Sequence, residues 1–343
     1  MWEQPVSLIC YLVVAAIVVF LSMKLSDFVD LLDKKTKISG AFLGGILLAA
    51  VTSLPELFTS LTATILISNN KYVLGNILGS DLFNMTLFAV IYIVFFKKLC
   101  DAKVGKYHLL SMMFIAVLYI TVTIAGFVFN FNNILWGWFN PLSILIVAIY
   151  ALAILKTPKV EEAEDKETDS KLTVKQIVIL FITFSLLLIG ASIGITYLTD
   201  WVVTSFKMGS TLGGALFLGI ATSLPEMTAT ITLCHKKNFN AAYGNILGSC
   251  VFNFIILAFA DALSFRAGPL YKFDQSAFLL LVAGAISILI IVISLLLTLK
   301  GIKNKTFYQV LFAVFAVILL GSYISYIVLS TIDLGIGFAP MVL

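Results

Sequence analysis

Two carboxylates stand where a membrane-spanning stretch would be expected to be apolar. Glu56 closes the run Thr52-Ser53-Leu54-Pro55-Glu56, and Glu226 closes its identical copy, Thr222-Ser223-Leu224-Pro225-Glu226. A carboxylate near the centre of a bilayer costs roughly 3 kcal/mol or more, and its default meaning is a functional site. The proline one residue before each glutamate has no N–H and displaces the carbonyl four residues back, those of Val51 and Ala221. The spacing therefore predicts two broken helices. Each would present a negative charge, two hydroxyls and loosened carbonyl oxygens at one depth, which is the ligand set of a hard cation.

A second pair of motifs follows the first. Gly75-Asn76-Ile77-Leu78-Gly79-Ser80 recurs as Gly244-Asn245-Ile246-Leu247-Gly248-Ser249, and Phe83-Asn84 recurs as Phe252-Asn253. Asn76, Ser80 and Asn84 are spaced i, i+4, i+8, as are Asn245, Ser249 and Asn253, so each set forms a polar stripe on one helical face. The glycines are small positions that allow close helix contact. Placing both stripes against both broken helices gathers Glu56 and Glu226 with Thr52, Ser53, Thr222, Ser223, Ser80, Ser249, Asn84 and Asn253. Two carboxylates balance one divalent ion, or hold two to three monovalent ions with help from hydroxyls and carbonyls. An all-oxygen set favours Ca²⁺, Na⁺ or Mn²⁺ over softer metals.

The elements that must carry these residues are membrane helices. The chain of 343 residues is 61% hydrophobic and only 12% charged, with mean hydropathy +1.08, where soluble domains carry about 25% charged residues. Apolar runs predict ten spans, near 5–24, 38–67, 72–96, 107–129, 133–155, 173–198, 208–233, 241–264, 275–299 and 306–331. The fold expected is an all-α polytopic membrane protein. The motifs repeat at an offset of 170 and then 169 residues, with five spans in each half. Because five is odd, the second half enters from the opposite side. The two five-helix repeats, 1–156 and 173–343, are thus expected to be inverted, as in many secondary transporters. Between them lies an acidic linker, 157–172. The first run lacks the basic flank of a signal peptide and reads as a retained helix.

Eighteen of the 22 lysines and arginines fall in the odd-numbered loops. By the positive-inside rule the linker faces the cytoplasm and both termini face outside, in the cell membrane. Trp2, Trp136, Trp138 and Trp201 then cluster at outer ends, while Asp200, Asp261 and Asp333 read as solvated outer acids. The histidines, His108 and His235, read as interfacial. Four cysteines without paired spacing suggest neither disulfides nor a zinc site, and no basic stripe suggests nucleic acid.

Together these motifs resemble the α-repeats of the cation/Ca²⁺ exchanger superfamily, closest to its prokaryotic sodium/calcium exchangers. The resemblance is carried by both repeats, about 40–90 and 210–262. It implies that Glu56 and Glu226 are the central Ca²⁺ ligands, with Thr52, Ser53, Thr222, Ser223, Ser80 and Ser249 lining Na⁺ and Ca²⁺ sites. It also implies carbonyl ligands at Ala49 and Gly219, and sliding of spans one and six over a fixed core. The chain departs from that pattern in three places. Val51 and Ala221 stand where glycine is usual. Asn253 stands where some relatives have an acid. Asp81 replaces a common asparagine, as a third functional carboxylate, a proton carrier, or a protonated or hydrogen-bonded acid between helices.

The reading that follows is Na⁺-coupled Ca²⁺ antiport by alternating access, with the bilayer and the transported ions as partners and no cofactor. Exchange of protons, or of Mn²⁺ or another divalent ion, on the same fold is the second reading. A cation channel is a third, against which the inverted repeat argues. No nucleophile–base pair, metal-binding His/Cys cluster or phosphate loop points to an enzyme.

Overall fold

The computed structural model describes residues 3–35, 50, 52–100, 104–128, 140–156, 172–235, 237, 239–301 and 305–332. The described residues are helical, with no strand among them. Among the described residues, eight helices are long and apolar enough to cross a membrane, and two apolar helices are shorter. The helices are α1 (Glu3–Lys35), α2 (Leu54–Leu61, continuing as a π-type stretch Thr62–Ile67), α3 (Asn70–Val94), α4 (Tyr107–Thr123) and α5 (Leu142–Lys156). They continue with α6 (Val174–Ser205), α7 (Ser210–His235), α8 (Phe239–Leu263), α9 (Gln275–Lys300) and α10 (Lys305–Ser330). The first half of the second expected span, the start of the fifth and the acidic linker to residue 171 lie outside the described residues. So do Trp2, Trp136, Trp138 and Asp333.

The amino acids at helix ends explain several boundaries. Thr173 and Gln176 form a capping box that starts α6, satisfying two otherwise unpaired N–H groups. Asp274 accepts from the N–H of Ala277 and starts α9. Ser68 takes a left-handed backbone (φ 58°) after α2, and Asn69 then caps α3 by accepting from the N–H of Lys71. α1 runs eleven residues beyond its expected end, because Leu25, Phe28 and Leu31 still pack inward after Lys24.

The core is α3 and α8, each 78% buried over its most apolar 18 residues. α3 packs against α7, α9 and α10, and α8 against α2, α4 and α5. α1 and α6 pack along each other at the periphery, and α1 also touches α7 as α6 touches α2. Their buried shares are 33% and 17%, so most of their surface is left for lipid. The outward side chains, such as Leu12, Val13, Phe20, Leu186 and Leu187, are accordingly large and apolar.

The seam between α3 and α7 brings backbone against backbone. A Cβ built at Gly75 would lie 2.1 Å from the carbonyl oxygen of Thr211, and one at Gly79 would lie 2.6 Å from the Cα of Ala215. On the facing side, a Cβ at Gly214 would lie 2.6 Å from the carbonyl oxygen of Tyr72. The expected role of Gly75 and Gly79 in close helix contact is met here.

One expectation changes. The seventh helix is continuous through Thr222-Ser223-Leu224-Pro225-Glu226, with Pro225 inside Ile220–His235. Its irregularity sits one turn earlier, in the π-type stretch Gly214–Gly219. Short π-type turns of this kind are frequent at functional sites. In the first copy the chain turns at Ser53 (φ −92°, ψ 10°), and α2 begins at Leu54 with Pro55 in its first turn, where a missing N–H costs nothing.

Candidate functional site

Each glutamate is held in position from behind by an asparagine of the following helix. Asn76 Nδ2 lies 3.3 Å from the backbone carbonyl of Glu56, 2.9 Å from Thr59 Oγ1 and 2.9 Å from Ser60 Oγ. Asn245 Nδ2 donates to the carbonyl of Glu226 at 3.2 Å and to Thr230 Oγ1 at 3.1 Å. The amides thus fix the helix turn that carries each carboxylate.

The carboxylates are met by the opposite motif. Ser53 Oγ donates to Glu226 Oε1 at 3.2 Å, and Ser223 Oγ donates to Glu56 Oε1 at 3.2 Å. The two contacts are reciprocal, so the motifs face each other across one small volume. In each glutamate the second oxygen, Oε2, is buried without a hydrogen-bond partner. A buried ionised group without partners is costly. Two such oxygens beside paired hydroxyls make an oxygen set of the kind that a cation takes.

The remaining residues of the sequence-derived set are all buried. Thr52, Ser53, Thr222, Ser223, Ser80, Ser249, Asn84 and Asn253 are fully enclosed, and Glu56 and Glu226 are 1% and 0% exposed. Ser80 Oγ donates to the Gly219 carbonyl at 3.2 Å, and Thr222 Oγ1 donates to the Leu218 carbonyl at 2.8 Å. Tyr11 of α1 donates to the Phe217 carbonyl at 2.6 Å. Three consecutive carbonyls of the π-type stretch are therefore engaged from three helices. Ser249 Oγ and both side-chain polar atoms of Asn84 have no hydrogen-bond partner. Ala49, with Val51, lies outside the described residues. Asp81 is buried and accepts from Asn253 Nδ2 at 2.8 Å, so it is tied to a member of the set and does not face solvent.

Several supporting residues escaped sequence reasoning. Thr59, Ser60 and Thr230 look like ordinary helix hydroxyls. Their signal was position: Ser60 and Thr230 each stand four residues after a glutamate. Asp261 is not a solvated outer acid. It is buried, and its Oδ2 accepts from the N–H of Asn140 (2.9 Å) and from Ser143 Oγ (2.8 Å) at the start of α5. Asp200 accepts from Tyr72 Oη at 2.7 Å. His108 is buried against Tyr107 and Tyr243, not interfacial, because a tyrosine flanks it on each side.

Comparison with known proteins follows this geometry. The family described as sodium/calcium exchanger protein matches residues 6–156 and 176–332. The inner membrane protein YrbG of Escherichia coli is 25% identical over 259 residues, covering 72% of this chain and 76% of that protein. Among solved structures, an H⁺/Ca²⁺ exchanger, CAX, superposes with TM-score 0.66 at 14% identity, over 95% of this chain and 90% of that one. The sodium-calcium exchanger NCX_Mj superposes with TM-score 0.56 at 18% identity, over 93% and 99%. At these identities the structural likeness shows the fold.

Proposed function

The chain belongs to the sodium/calcium exchanger protein family, and we propose that it exchanges Na⁺ for Ca²⁺ at one central site built on Glu56 and Glu226. Membership supports cation/Ca²⁺ antiport across a membrane. The choice of Na⁺ and the site residues are our reading. It is carried by the reciprocal contacts of Ser53 with Glu226 and Ser223 with Glu56, which leave one oxygen of each glutamate unpartnered. With these two carboxylates we group Thr52, Thr222, Ser80, Ser249, Asn84, Asn253 and the Gly219 carbonyl.

Two carboxylates, at −2, neutralise one Ca²⁺. They also accept Na⁺ ions with help from hydroxyls and carbonyls. Competition for the same oxygens makes occupancy by one ion exclude the other. An empty site would carry an uncompensated double charge through the dry interior, which is costly. The loaded protein therefore changes access more readily than the empty one, and that preference is what couples the two fluxes.

We read the architecture as ten crossings in two inverted five-helix repeats. The helix neighbours support this. Exchanging α1–α5 with α6–α10 converts α3 against α9 and α10 into α8 against α4 and α5, and α1 against α7 into α6 against α2, all observed pairs. α1 and α6 would slide over the rest, and both termini would face outside in the cell membrane.

Proton coupling is the second reading, favoured by the likeness to the H⁺/Ca²⁺ exchanger. The test is ⁴⁵Ca²⁺ uptake into sealed proteoliposomes under an imposed Na⁺ gradient and, separately, an imposed pH gradient. Uptake driven by the Na⁺ gradient is expected. Uptake driven only by the pH gradient would replace Na⁺ with H⁺ as the counter-ion.

A further inference from the structure

Two phenols tie the peripheral helix pair to the core, both towards the same end of the bundle. At that end α1 begins and α6 finishes, and Gln4 Nε2 of α1 donates to the Ser205 carbonyl of α6 at 3.0 Å. Tyr11 of α1, 6% exposed, donates to the Phe217 carbonyl of α7 at 2.6 Å, and the two rings meet edge-on at 5.1 Å. Tyr72 of α3, 1% exposed, donates to Asp200 Oδ1 of α6 at 2.7 Å. One bond therefore holds α1 to the core and the other holds α6.

The core side of both bonds is itself braced. Asn69 Nδ2 donates to Ser210 Oγ at 3.1 Å, and Thr211 Oγ1 donates to Asp274 Oδ2 at 2.8 Å. These contacts join the starts of α3, α7 and α9, beside the close backbone seam at Gly75 and Gly214. Displacing α1 and α6 against this body by about 1 Å takes either phenol beyond hydrogen-bonding distance. Glu56 and Glu226 are enclosed, so an ion reaches them only when packed helices part.

The ion-site motifs occur in both halves of the chain, and the phenols do not. The residue 170 positions after Tyr11 is Phe181, and the residue 169 positions after Tyr72 is Ala241. Neither side chain can donate a hydrogen bond. Two inverted halves that matched in full would give two access states of equal energy. Hydroxyls present in one half only make those states unequal.

We propose that Tyr11 and Tyr72 are positioning residues that latch α1 and α6 to the core at the membrane face where α1 begins. The latch makes the state closed at that face the resting state. It rests on the reading of alternating access by α1 and α6, and adds the residues that set its bias. An ion arriving at the latched face binds only the small fraction of molecules that have opened there, so its apparent affinity is lowered by that fraction. An ion arriving at the opposite face meets the resting state and pays no such cost.

The test is ⁴⁵Ca²⁺/Ca²⁺ self-exchange, which runs whatever the counter-ion, in sealed vesicles holding the full chain with one face or the other outward. Tyr11→Phe and Tyr72→Phe should each lower the half-saturating Ca²⁺ about threefold with the latched face outward. With the other face outward it should stay within about twofold of wild type. Asp200→Ala should match Tyr72→Phe, while Asp200→Asn, which keeps an acceptor oxygen, should stay near wild type. Equal shifts at both faces, or no shift in the folded variants, would overturn the latch. Wild-type protein without self-exchange would sink the antiport reading instead. Amide hydrogen exchange in the last turns of α6, expected to quicken in Tyr72→Phe, then decides the latch by itself, and unchanged exchange there overturns it.

Discussion

Ser53 and Glu226 are 173 positions apart in the chain and 3.2 Å apart in space, joined by a hydrogen bond that has its counterpart between Ser223 and Glu56. Each carboxylate is therefore oriented by the other half of the molecule. Replacing either glutamate by glutamine keeps the shape and removes one of two charges. Glu56→Gln and Glu226→Gln should each lower ⁴⁵Ca²⁺ uptake into proteoliposomes by about a hundredfold or more, since a divalent ion would then be left with a single buried countercharge. Ser53→Ala and Ser223→Ala should each have a smaller effect, about tenfold.

The asparagines behind the glutamates make a separate prediction. Asn76→Ala strands the Glu56 carbonyl, Thr59 and Ser60 together, and the loss of buried partners costs about 1–3 kcal/mol. Thermal unfolding in detergent should show Asn76→Ala and Asn245→Ala to be destabilised, with Ca²⁺ affinity falling in parallel. Full stability with normal affinity would mean that these amides do not hold the site.

These residues also mark how far the sequence could be read. Glu56, Ser53, Glu226 and Ser223 were visible because each motif occurs twice, and membrane burial makes an acid conspicuous. Thr59, Ser60 and Thr230 were not, since a helix hydroxyl commonly bonds its own backbone, as Thr59 does to Pro55 at 2.8 Å. Asp261 misled because an acid at the end of an apolar run normally meets water. Only the tertiary fold shows that it meets the first turn of α5. The π-type stretch Gly214–Gly219 was likewise illegible, because the proline that draws attention comes six residues after its end.

The backbone seam between α3 and α7 predicts contrasting glycine substitutions. Gly75→Ala would push a methyl into the Thr211 carbonyl, and overpacking of this kind costs about 1–3 kcal/mol. Gly190→Ala on α6 meets nothing within 4 Å and should stabilise the helix by about 0.5–1 kcal/mol. Detergent melting curves of the two variants should shift in opposite directions.

Asp261 predicts a structural effect away from the ion site. Asp261→Ala removes the acceptor for the Asn140 N–H and the Ser143 hydroxyl, at a cost of about 2–3 kcal/mol. Hydrogen exchange at the start of α5 should quicken, while ⁴⁵Ca²⁺ binding to the folded fraction stays unchanged.

α1 and α6 clasp each other and leave most of their length to the hydrocarbon. Any movement of that pair displaces acyl chains along two long apolar flanks, so the surrounding lipid acts as a viscous drag on it. Turnover should then depend on bilayer fluidity and thickness even where ion affinity does not. The membrane in which this protein works would then set its speed independently of the residues that bind its ions.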